Sequence, residues 1–306
     1  MLIVAATGRR VNQARAIDVE RHGGDAVLAR DAAPKSPMRH VRSRGEIRLG
    51  FRAQDGAIRI SAGFQGGCLK FRLPRTPRHG IPCAVLLNTS GGLAGGDRLT
   101  QRVDWGAKSA AIVTTQAAEK IYRAVDEPAT IETRLHVGTG ARAEWLPQES
   151  ILFDRARLAR DMQVHIAGDA DFLGVEAAVL GRAAMNEVVA QGMLVDRWRI
   201  WRDGRLIYAD ALKLDGPIDA LMQRPAIGAG ARAIAVVILA SPRAATRLAP
   251  LRLALGAARG LAAASSFNGM TVARFLAGNG AILRHDLLLA LDSLREARAM
   301  PRVWSC

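Results

Sequence analysis

From Ser43 onward the chain is written in short alternating segments separated by turn residues, and this alternation restricts the fold more than any other feature. Successive side chains on a strand point to opposite faces, so an apolar residue at every second position marks a strand with one buried face. In TIETRLHV, Ile131, Thr133, Leu135 and Val137 share one face, and Glu132, Arg134 and His136 the other. DMQVHI repeats the device with Met162, Val164 and Ile166 against Gln163 and His165. Gly138-Thr139-Gly140 turns the first segment into another strand, and a Gly/Asp turn follows the second.

Two hairpins follow from turn chemistry. In FRAQDGAIRIS the Asp55-Gly56 pair suits a two-residue type I′ turn, which needs positive φ at both central positions, and this predicts Phe51 opposite Ile60. RWRIWRDGRLIYAD centres the same turn on Asp203-Gly204 and predicts the pairs Ile200–Ile207, Trp201–Leu206 and Arg197–Asp210. One face would carry Trp198, Ile200, Ile207 and Ala209, the other Arg199, Trp201, Leu206 and Tyr208, so the ribbon is expected to be covered on both sides. The predicted fold class is mainly β: a single large antiparallel β-rich scaffold with a few helices, mostly in the C-terminal third. There HDLLLALDSLREAR sets Leu287, Leu291 and Leu294 on one stripe of a surface helix. SPRAATRLAPLRLALGAARG offers Ser241 as N-cap and Pro242 as first helical residue, with Pro250 expected to interrupt the helix.

Residues 1–43 show neither period and read as a flexible basic N-terminal tail, or as sequence ahead of the true start, leaving 44–306 as one β-rich domain. An apolar content of 49% is enough for a sizeable core. The net charge of +15 comes mostly from arginine and is spread along the chain, while aromatic residues make up only 5%. A basic nucleic-acid-binding protein, the main alternative reading, would need a basic stripe interleaved with aromatics. Cys68, Cys83 and Cys306 contain no CxxC pair, which fits neither a disulfide framework nor a closed zinc site and suits a reducing compartment. The longest late apolar run, AIAVVILA at 233–240, falls far short of the roughly 20 residues of a membrane span. A cytoplasmic protein is expected.

The glycine-rich NTSGGLAGGDRL, residues 88–99, fails as a phosphate cradle. A P-loop requires GxxxxGK[ST], but Asp97 and Arg98 follow Gly96; the dinucleotide spacing GxGxxG fails at Leu93. The histidines at 22, 40, 79, 136, 165 and 285 form no HExxH or i, i+4 pair, and only His79 with Cys83 could pinch a soft metal. EWLPQESILFDRARLARD gathers Glu144, Glu149, Asp154 and Asp161 around Pro147. A glycoside hydrolase, a less favoured alternative, needs two acids facing each other across a sugar; ordinary ion pairs with Arg155 and Arg157 are the simpler reading. Glu119 and Glu176 sit beside small or apolar residues, and a carboxylate buried there requires a partner, water or a cation.

Six blocks taken together, NTSGGLAGGDRL (88–99), TTQAAEKIYRA (114–124), WLPQESILFDRARL (145–158), GRAAMNE (181–187), DRWRIWRDGRLIYADALKLDG (196–216) and PRVW (301–304), resemble the UreD/UreH family of urease accessory proteins. The departures are Thr89 and Asn186, where the family usually has proline and glycine. The resemblance covers residues from about Ser43 to Cys306. It implies a mainly-β, non-catalytic scaffold, a chaperone that binds apo-urease and UreF and is joined through UreF by the GTPase UreG. It also implies transient Ni²⁺ in place of a tightly bound cofactor, with nickel passing through an internal polar tunnel. On that reading Glu149 and Glu176, with Asp97 and Glu119 as weaker candidates, line the nickel path, and the glycine loop is architecture near a partner surface.

Overall fold

The computed structural model describes residues 42–75 and 81–305, so the expected N-terminal tail and His79 lie outside the described residues. Strands dominate. The first stretch comprises β1 (Arg44–Gln54), β2 (Ala57–Gly67), β3 (Leu69–Arg72), β4 (Cys83–Asn88), β5 (Arg98–Trp105), β6 (Ala110–Thr115) and β7 (Glu119–Ile121). There follow β8 (Ala129–Val137), β9 (Arg142–Leu146), β10 (Ser150–Leu152), β11 (Arg157–Ile166), β12 (Asp171–Leu180), β13 (Gly192–Arg202) and β14 (Arg205–Gly216). The C-terminal part adds helix α1 (Ile218–Gln223), β15 (Ala233–Ala240), α2 (Leu248–Leu255), β16 (Leu261–Phe267), β17 (Met270–Ala277) and α3 (Gly280–Leu294).

The strands form two sheets. One has seven strands in the order β14-β13-β11-β8-β5-β1-β2; the other, of ten, runs β16-β17-β15-β12-β9-β6-β4-β3, with β10 joining β12 to β7. Both sheets are mixed, which corrects the antiparallel expectation. The strands β1, β5, β8, β11 and β13 are mutually parallel, as are β4, β6, β9 and β12, and antiparallel pairing starts where these runs end, at β2, β14, β3 and the β15-β17-β16 group. The cause lies in the turns. Each glycine corner at Gly106, Gly138 and Gly168 sends the chain to the facing sheet instead of back along its own, so every second strand returns in the same direction and the result is solenoid-like. The corners stack through hydrogen bonds: Gly106 N donates to Phe51 O at 2.8 Å, Gly138 N to Trp105 O at 2.7 Å and Ala167 N to Val137 O at 2.9 Å.

Both predicted hairpin turns form, with Asp55 at φ 51° and Gly56 at 72°, and Asp203 at 48° and Gly204 at 77°. Phe51 pairs with Ile60 and Trp201 with Leu206 as expected. A bulge between Ile200 and Trp201 then shifts the rest of the second ribbon by one residue. Ile200 therefore meets Tyr208, and Trp198 meets Asp210, so the expected Ile200–Ile207 and Arg197–Asp210 pairs do not form. A bulge sends later side chains to the opposite face. Here it brings Tyr208 and Asp210 onto the inward face beside Trp198.

The core lies between the sheets, built from Ile47, Leu49, Phe51, Leu99, Trp105, Leu135, Val164, Leu194 and Trp198 on one side and Ala84, Leu86, Val113, Trp145 and Phe172 on the other. Beneath the ten-stranded sheet the predicted Leu287, Leu291 and Leu294 stripe of α3 packs on Leu173, Val175 and Phe275. Asn279 caps that helix by accepting from Ile282 N at 2.9 Å. Ser241 starts a turn leading into a 3₁₀ segment, Ala244–Arg247, and does not cap α2. Pro250 does not interrupt α2 either: it occupies the first turn, where its missing N–H has no helical acceptor to lose.

Candidate functional site

β12 is covered on both faces, so its sequence DFLGVEAAVL reads as a nearly continuous apolar run. Leu173, Val175, Ala177 and Val179 face the helical layer, which leaves Phe172, Gly174, Glu176 and Ala178 to face the other sheet. Across the layer, Arg160 on β11 is in register with Asp196 on β13, both in the inward phase set by Leu158, Met162, Leu194 and Trp198. The three charged groups meet. Arg160 Nη1 lies 2.5 Å from Glu176 Oε2 and Nη2 lies 2.6 Å from Asp196 Oδ2. Nη1 also donates to Ser150 Oγ at 3.3 Å, and Trp145 Nε1 donates to Glu176 at 3.5 Å. Burial pushes Glu176 up to about 7 against the pull of Arg160.

This triad forms the floor of a cavity of about 580 Å³ that opens between the edge strands β14 and β16, with walls from Leu212, Leu214, Ile234 and Leu276. At its rim Arg274 pairs with Asp210 at 2.6 Å, and Tyr208 Oη donates to the same carboxylate at 2.8 Å. Burial opposes ionisation of Asp210, but hydrogen bonds from Arg274 and Tyr208 hold it below the usual carboxylate range. On the floor Asp196 Oδ1, Trp198 Nε1 and Arg160 Nε are buried without hydrogen-bond partners among the described residues.

A second cavity, of about 200 Å³, is lined by Glu119, Asn88, Gln101 and Gly91. Burial pushes Glu119 up to about 7, opposed by the hydrogen bond it accepts from Asn88 Nδ2 at 3.0 Å. The glycine loop aims that amide. Asn88 Oδ1 accepts from Ser90 N and Oγ, and Gly92, at φ 149°, passes so close that a Cβ would lie 2.5 Å from the Tyr122 ring. The loop therefore has a structural reason for its glycines.

Ser150 sits on the strand between the residues of the two cavities. It pairs with Ala178 on β12 and with Glu119 on β7, and in-register parallel residues face the same way. Glu176 lies two residues along and two strands across from Glu119, a Cα separation of roughly 12 Å from standard strand spacings. A break in the sheet accommodates the crossing. Pro147 separates β9 from β10, residues 116–118 separate β6 from β7, and Gln148 N donates across the gap to Thr115 Oγ1 at 2.8 Å.

Of the sequence-predicted residues, Glu176 and Glu119 thus lie on the same face of one sheet, each on its own cavity. Glu149 lies 3.8 Å from Arg284 of α3, on the helical side. Asp97 is 5% exposed and organises the loop, accepting from Ser43 N at 2.7 Å and Ala94 N at 2.8 Å. Glu144 is held by Arg295 at 2.7 Å and Arg298 at 3.0 Å, and Asp161 lies between Arg134 and Arg199. Burial and the nearby Glu144 push the Cys83 thiol up to about 11, which makes it a poor ligand at neutral pH. Among the described residues no three His, Cys, Asp or Glu side chains converge as a metal cage. Sequence reasoning missed Arg160, Asp196, Asn88 and Ser150. Arg160 and Asp196 did carry a signal, since each is a charged residue in the apolar phase of its strand.

Two mixed sheets stacked as β-coils, with charged groups buried between them, define a mainly-β, solenoid-like class of protein. The family model for the UreD urease accessory protein matches residues 43–305. The chain is 43% identical over 267 residues to the urease accessory protein UreD of Azorhizobium caulinodans, covering 87% of this chain and 98% of that protein. It is 46% identical over 288 residues to urease accessory protein UreD 2 of Methylorubrum populi, covering 92% and 96%. The chain belongs to the UreD family of urease accessory proteins.

Proposed function

We propose that this chain acts in urease maturation as a non-catalytic cytoplasmic scaffold that passes nickel ions to apo-urease, in a complex with UreF and UreG. Glu176 and Glu119 are the donors along the route, and Asp97 and Glu149 support it by fixing the glycine loop and the α3 face. One observation supports the reading: two carboxylates, each opening on its own cavity, lie on the same face of one sheet, with Ser150, which accepts from Arg160, on the strand between them. Ni²⁺ takes oxygen and nitrogen ligands, and conduction requires donors strong enough to replace part of its hydration yet few enough to release it. Single, spaced carboxylates meet that condition better than a closed cage.

The test is co-expression of Glu176→Gln/Glu119→Gln with apo-urease, UreF and UreG, followed by metal analysis of purified urease. Nickel delivered in a fixed time should fall by roughly tenfold, equivalent to about 1.4 kcal/mol, while the variant still co-purifies with its partners. Normal nickel content with both carboxylates gone would end the proposal.

A further inference from the structure

The triad on the floor of the larger cavity is unusual for a structural ion pair. Its guanidinium serves two carboxylates on two different sheets, 7% of Arg160 is exposed, and the three groups sum to a net charge of −1 when ionised. A well-made buried pair satisfies its remaining donors and lone pairs. This one leaves Asp196 Oδ1 and Arg160 Nε without partners among the described residues, beside open volume. The same cavity gives a displaced arginine side chain room to move.

We infer that Arg160 is a resident counter-cation occupying a divalent-cation site, and that a passing ion exchanges with its guanidinium between Glu176 and Asp196. This rests on the cation-conducting reading given above. Without an ion, Arg160 keeps two carboxylates neutralised in a low-dielectric layer, which an empty acidic channel could not do. With an ion bound, Glu176, Asp196 and Ser150 Oγ supply oxygen donors and water in the cavity completes the shell. A cation beside the guanidinium would be repelled by it, so the two occupy the site in turn and the ion is held only transiently.

Nickel binding to the purified full chain tests this. Arg160→Gln should bind Ni²⁺ roughly tenfold more tightly than the natural chain, because both carboxylates lose their internal competitor. Arg160→Gln/Glu176→Gln should lose that gain. Arg160→Lys, which keeps the charge but reaches a single carboxylate, should show a smaller gain in the same direction. Folded Arg160→Gln or Arg160→Lys binding Ni²⁺ no more tightly than the natural chain would overturn the exchange. Should neither fold, Zn²⁺ added to the natural chain labelled with ¹⁵N-arginine decides: a buried Nε–H signal that shifts supports exchange, and buried signals that all stay in place overturn it. Tighter binding by Arg160→Gln together with undiminished nickel loading of urease would support the exchange site and break the conduit reading.

Discussion

Replacing Glu119 by glutamine should change the pH dependence of stability in a calculable way. Burial pushes this carboxyl from its ordinary 4.5 up to about 7, whereas in the unfolded chain it ionises at its ordinary value. Between those values the unfolded state releases the proton more readily, so native stability falls as pH rises from about 4.5, and the loss is complete above about 7. At about 1.36 kcal/mol per pH unit the loss is at most ~3.4 kcal/mol, and because Glu119 is only half-buried we discount it to ~2 kcal/mol. Glutamine keeps an oxygen for Asn88 Nδ2 and has no proton to lose. Thermal melts at pH 5 and pH 8 should therefore show the variant close to the natural chain at pH 5. At pH 8 its midpoint should be raised by ~4–8 °C, at ~2–4 °C per kcal/mol for a chain of this size. An offset of the same size at both pH values, or one favouring the natural chain at pH 8, would refute the reasoning.

Two further outcomes follow from packing. Glu144→Gln leaves Arg295, only 1% exposed, without its counter-charge and should cost ~3–5 kcal/mol, measured as a fall in the urea midpoint; a cost below ~1 kcal/mol would show that Arg298 and the backbone do not depend on it. Gly95→Val would put a Cβ 2.6 Å from both Ala124 Cβ and Glu127 O, neighbours that cannot swing aside, and should cost ~1–3 kcal/mol and weaken co-purification with UreF or urease. A stable variant that still binds both would remove the glycine loop from any partner surface.

The elements were legible where one residue type dictates a local geometry. Asp55-Gly56 and Asp203-Gly204 fixed two turns, and period-two alternation marked β8 and β11 because each has one wet face. Strand direction was not legible. Gly138-Thr139-Gly140 marks a turn but not whether the next strand lies in the same sheet or the facing one, and that choice separates an antiparallel meander from stacked coils. The bulge at Ile200 was hidden for a similar reason, since nothing in RIWRDGRLIY distinguishes a regular ribbon from one shifted by a residue. Glu176 and Glu119 stood out through their apolar neighbours. Asp196 and Arg160 occupy the apolar phase of their strands, but that they meet Glu176 emerges only when strands from both sheets are set face to face.

The stacked corners set a ruler for the two carboxylates. Because two strands as well as two residues separate Glu176 from Glu119, the span between them grows mainly with interstrand steps of about 4.8 Å. A relative with one more strand between its two carboxylates would set them farther apart by most of that increment. Longer strands would deepen the walls and leave the distance unchanged.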